Sequence, residues 1–152
     1  MKDTLILCIG YPFSCDKGFG YRVSQVLEEM DLPGSVEMLE VGECASEFDH
    51  EIDGRKKMVV VDSFQTGQEP GTTVRLKTEE VPMTVNGVTD LGKYHLLDTL
   101  EQIQLSGHCP ETIFIGVVPK DIETDTPQPQ LTPEVEAKVQ EVVEMILEEV
   151  KR

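Results

Sequence analysis

Apolar residues fall along this chain in two rhythms. Thr4-Leu5-Ile6-Leu7-Cys8-Ile9-Gly10 is an unbroken apolar run closed by glycine, the pattern of a strand buried on both faces. Lys57-Met58-Val59-Val60-Val61-Asp62 and Thr112-Ile113-Phe114-Ile115-Gly116-Val117-Val118-Pro119 repeat it. From Val36 to Val41 apolar and acidic residues intermingle, predicting a further strand, and Val74 and Leu76 alternate with Arg75 and Lys77 as in a short, half-exposed one. The second rhythm is helical. Val23, Val26, Leu27 and Met30 recur at i, i+3, i+4 and i+7, and Asp31-Leu32-Pro33-Gly34 stops them. Leu96, Leu100 and Ile103 mark another helix, ended by Gly107. Val135, Val139, Val142, Ile146 and Val150 form the stripe of a last one, with Thr132 suited to its N-cap and Pro133 to its first turn. Glu43 to Asp53 predicts a short helix and Lys120 to Gln130 a surface loop, while Glu79 to Asp90 carries no periodic signal. Doubly buried strands alternating with helices predict one α/β domain over residues 1–152, its mostly parallel sheet held between helices. In such a sheet the site lies off the carboxyl ends of the strands, which picks out the segment after Gly10, the segment after Val61 and the loop beyond the hairpin.

Charge narrows the partners. Asp and Glu number 29 against 13 Lys and Arg, a formal charge of −16. A field of that sign repels phosphate backbones and anionic lipid heads, which excludes nucleic acid and the membrane surface. It suits a basic protein or a cation, and it also serves plain solubility. No apolar run nears the ~20 residues of a membrane span, and Leu5 to Ile9 is too short for a signal-peptide core, so a cytoplasmic protein is expected. Cys8, Cys15, Cys44 and Cys109 make no C-x-x-C pair and should stay thiols.

Few residues offer chemistry. The glycine-bearing loop Gly10 to Gly20 matches neither G-x-G-x-x-G nor the Walker pattern. Asp62 ends a buried apolar strand, where a carboxylate must hold a cation, cap something or accept hydrogen bonds; a metal or catalytic role and a structural one are both open. His50, His95 and His108 form no zinc-like spacing. Cys15 lies beside Lys17 near a helix start, a setting that lowers a thiol pKa, but no base stands near it in sequence.

The order of motifs resembles the hydrogenase maturation endopeptidases, which trim the C-terminal extension of nickel–iron hydrogenase large subunits. Their opening G-N-x-L-x-x-D-[ED]-G-x-G is matched by Gly10, Phe13, Asp16, Gly18 and Gly20. Their apolar-V-D-A strand end corresponds to Val60-Val61-Asp62-Ser63, and G-x-x-P-G-T to Gly67-Gln68-Glu69-Pro70-Gly71-Thr72. Ile115-Gly116-Val117-Val118-Pro119 and Leu131-Thr132-Pro133-Glu134-Val135 match I-G-x-x-P and L-[ST]-P-E-V. The resemblance spans nearly the whole chain. It implies a three-layer αβα sandwich, phosphorylase/hydrolase-like, with a mostly parallel central sheet.

It also implies a hydrogenase large-subunit precursor as protein partner and substrate-borne nickel as the ion recognised. The family's ligands to that nickel are an acidic residue of the first loop, an Asp after the third strand and a His before the third main helix. Asp62 matches the Asp. The other two positions hold Lys17 and Gly92, and Tyr11 replaces the usual Asn. An ammonium does not ligate while protonated, and glycine offers no ligand at all. The metal set expected of this chain is therefore relocated to Asp16, Asp62 and His95, the last lying about 4.5 Å along a helix from Gly92. The leading expectation is a metal-dependent endopeptidase of this class. The alternative is an inactive relative that serves as a binding or assembly module for a hydrogenase subunit.

Overall fold

A computed structural model describes residues 1–42, 48–85, 88–122 and 127–152. Five strands form one sheet: β1 (Thr4–Cys8), β2 (Val36–Glu40), β3 (Lys57–Ser63), β4 (Thr73–Lys77) and β7 (Glu111–Val117). They lie in the order β2-β1-β3-β7-β4. The first four run parallel, and β4 joins the edge antiparallel to β7. A separate two-stranded hairpin pairs β5 (Thr84–Val85) with β6 (Val88–Thr89).

The unbroken apolar runs become strands because both sides of the sheet are covered. Ile6, Cys8, Val59, Val61, Ile113 and Ile115 point to one layer, where they meet Phe19, Val23 and Leu27 of α1 (Phe19–Glu28). Val135 of α4 (Pro133–Glu136) and Val139, Val142, Val143 and Ile146 of α5 (Val139–Val150) complete that layer. Leu5, Leu7, Met58, Val60 and Phe114 point the other way, against Ile52 of α2 (Asp49–Ile52) and Leu96, Leu100 and Ile103 of α3 (Leu91–Ser106). Alternate residues of one run thus feed two cores, and burying each such side chain is worth roughly 1.5–3 kcal/mol. The arrangement is the expected three-layer αβα sandwich.

The differences are local. The C-terminal stripe is split into α4 and α5 rather than one helix. Glu79 to Asp90, which carries no period, holds a 3-10 turn at Thr78–Glu80 and the hairpin. Of the short helix expected over 43–53, residues 43–47 and with them Cys44 lie outside the described residues, and Asp49–Ile52 is helical. Among the described residues no helix is long and apolar enough to cross a membrane.

Candidate functional site

Two loops meet at the carboxyl end of the sheet. The β1–α1 connection includes a 3-10 turn, Cys15–Gly18, and Asp16 on it is completely buried. Its carboxylate accepts hydrogen bonds from the backbone N–H groups of Lys120 (2.8 Å), Asp121 (2.9 Å) and Thr132 (2.9 Å). The Thr132 hydroxyl donates as well, 2.9 Å from Oδ2. Thr132 was expected to cap its own helix; it makes no side-chain cap there and turns to Asp16 instead. The Asp16 oxygens are thereby committed to a knot between the β1–α1 loop and the segment after β7, and this corrects the expectation of Asp16 as a ligand. Cys15 is also corrected. Burial, with the Asp16 charge, raises its thiol pKa rather than lowering it.

Asp62 is the penultimate residue of β3 and is 8% exposed. Its Oδ1 accepts the Ser63 N–H at 2.7 Å. Its Oδ2 is 3.3 Å from the ammonium of Lys93, which is also 3.0 Å from Oδ2 of Asp90. Asp90 caps α3 and accepts the Lys93 backbone N–H at 3.1 Å, so one aspartate holds both ends of the lysine. The ammonium lies 5.1 Å from the centre of the Phe64 ring, within reach of its electron-rich face. Burial raises the pKa of Asp62, outweighing the Lys93 charge, and the Asp90 charge adds to the rise. Burial works against the Lys93 ammonium, yet the charges of Asp62 and Asp90 and their hydrogen bonds lift its pKa above the usual lysine value. Asp90 is lowered: burial opposes ionisation there, and the charge and hydrogen bonds of Lys93 prevail.

Lys17 is close enough for its charge to help lower Asp90, and Gly92 precedes Lys93 on α3. It is Lys93, the residue after Gly92, that ties this end of α3 to Asp62. His95 does not join them. It is exposed, its ring edge-on to Tyr94 with centroids 5.7 Å apart. Two residues past Lys93 on a helix, it is turned about 200° from the sheet-facing side. Among the described residues no three His, Cys, Asp or Glu side chains gather closely enough to hold a metal ion. Asp16, Asp62 and His95 are not brought together as the expected set, and the described residues around Asp62, with the Lys93 ammonium among them, do not fit a divalent ion.

Sequence reasoning missed Lys93 and Asp90. A signal was there: Lys93 precedes Leu96, Leu100 and Ile103 on the same buried stripe, and a lysine on such a stripe needs an acidic partner. Exposed apolar groups edge the rim. Tyr11 and Phe13, half exposed, pack edge to face at 6.1 Å in the first loop, and Leu91 and Tyr94 are exposed on the first turn of α3.

A family model described as HycI, hydrogenase maturation protease, matches residues 21–149. The chain is 30% identical over 146 residues to the hydrogenase 2 maturation protease of Escherichia coli, covering 94% of this chain and 87% of that protein. Its structure resembles the hydrogenase maturating endopeptidase HybD from E. coli with a TM-score of 0.87 and 29% identity, over 99% of this chain and 93% of the other. It also resembles the [NiFe] hydrogenase maturation protease HybD from Thermococcus kodakarensis, at a TM-score of 0.74 and 25% identity over the whole of both chains.

Proposed function

We propose that this chain, which belongs to the hydrogenase maturation protease family, hydrolyses one peptide bond near the C-terminus of a nickel–iron hydrogenase large subunit. The substrate is the nickel-loaded precursor, met in the cytoplasm. The observation that carries the reading is Asp62, a buried carboxylate at the carboxyl end of the central strand, at the rim where both loops converge.

That placement suits the task. A carboxylate kept from water is felt strongly by a charge arriving from a docked partner, because the surroundings screen it poorly. Tyr11, Phe13, Leu91 and Tyr94 supply the amphipathic and apolar contact that anchors protein interfaces. The Asp16 knot holds the first loop in one conformation, so the rim is formed before the partner arrives. The net charge of −16 favours a precursor whose tail region is basic or carries a cation.

The test is direct. The intact chain is incubated with a nickel-loaded large-subunit precursor, and the precursor is weighed by mass spectrometry. The expected result is loss of a C-terminal fragment, abolished by Asp62→Asn in a variant that keeps its circular dichroism spectrum. A precursor that is bound but remains full length would overturn cleavage in favour of an assembly module.

A further inference from the structure

We propose that Lys93 is a resident counter-cation that closes the Asp62 site to free divalent metal ions. The inference concerns the uncomplexed chain and stands whether or not the chain cleaves a precursor.

Three observations carry it. First, the ammonium is already where a cation would go. It lies 3.3 Å from Asp62 Oδ2 and 3.0 Å from Asp90 Oδ2, and the Phe64 ring faces it at 5.1 Å. Each of its three N–H donors thus has something electron-rich to meet. A divalent ion bonded to Asp62 at the usual ~2.0–2.6 Å would stand beside a fixed positive charge.

Second, Lys93 is not free to withdraw. Its side chain is 10% exposed, and its own backbone N–H is held by the same Asp90 that takes the ammonium. Swinging out would leave the buried Asp62 carboxylate without its cation and beside the half-buried Asp90, a like charge.

Third, the described residues around the site offer a metal nothing in exchange. Asp16 has spent its oxygens on four donors, His95 faces solvent, and position 92 is glycine. Lys17 adds a second positive charge near Asp90. Two aspartates with one ammonium form a closed set, whereas two aspartates alone would invite a cation.

Titration calorimetry of the intact chain with cadmium or nickel chloride tests this. The wild type should show no saturable binding that Asp62→Asn removes. Lys93→Met, close in length but uncharged, should bind on the order of tenfold more tightly or better. Adding Asp62→Asn to Lys93→Met should abolish that gain. Wild-type binding that depends on Asp62 and equals that of Lys93→Met would overturn the proposal. So would a folded Lys93→Met that gains nothing. Should Lys93→Met not fold, the wild type still decides: its Lys93 ammonium 15N–1H signal should stay unchanged under a molar excess of cadmium, and displacement of that signal refutes the lock.

Discussion

Asp16 and Asp62 are both buried aspartates at the same end of the sheet, and their neighbours give them opposite tasks. Asp16 meets neutral N–H and O–H donors and becomes a fastening; Asp62 meets an ammonium and becomes half of a buried pair. The fastening should be costly to remove. Asp16→Ala strands three backbone donors and a hydroxyl, and we expect a loss of roughly 3 kcal/mol in urea unfolding, since each buried unmet donor costs about 1–3 kcal/mol and some will find water. A loss under ~1 kcal/mol would mean that the knot contributes little to the fold. Both residues were visible in the sequence as candidates. Their roles were not, because Lys120, Thr132 and Lys93 are distant in sequence or on another element. Only the relation of Asp90 to Lys93, three residues apart at a helix start, was local enough to read.

Elements meet through glycines that the motif order marks and the packing explains. A Cβ on Gly20 of α1 would stand against the Ile9 carbonyl and 2.7 Å from the Val61 carbonyl oxygen. One on Gly116 of β7 would strike the Asp62 carbonyl and come 2.8 Å from the Phe64 ring. Gly20→Ala should therefore destabilise by roughly 3 kcal/mol through forced separation of α1 from the sheet, despite the better helix propensity of alanine. An unchanged urea midpoint would show that the helix shifts without penalty. At its other end α5 is fastened by Glu149, 2% exposed, which Arg75 grips at 2.9 and 3.0 Å and Lys57 at 3.3 Å. The Arg75 hydrogen bonds, helped by Lys57 against the effect of burial, hold the Glu149 carboxyl below its ordinary value. Its contribution to stability is then full above the ordinary glutamate range near pH ~4.3 and is lost as pH falls through the lowered value. Glu149→Gln should melt below the wild type at pH 7, by roughly 2 kcal/mol, and the gap should narrow on acidification below about pH 4. A gap that stays constant across that range would show that the charge of Glu149 is not what matters.

Across the whole molecule, the −16 charge works against compactness, and the paired clusters at Asp62 and Glu149 relieve it only locally. Raising sodium chloride from low concentration to about 0.2 M, where charges are screened beyond ~7–8 Å, should raise the melting temperature by a few degrees. A fall would mean that attractive surface pairs outweigh the repulsion. The sequence by itself determined the layers. Strand and helix periods are local, and burying one face of every element leaves few architectures, so the αβα sandwich, the strand ends and the rim could all be read from apolar spacing. Motif order led to the family for the same reason. Tertiary structure alone decided which charges meet. Helical rotation sends His95 to solvent and Lys93 to Asp62, loop closure delivers Thr132 to Asp16, and α5 brings Glu149 to the strands that start at Lys57 and Thr73. Such pairings depend on side-chain direction and on contacts far apart in the chain, and spacing along a sequence does not encode them.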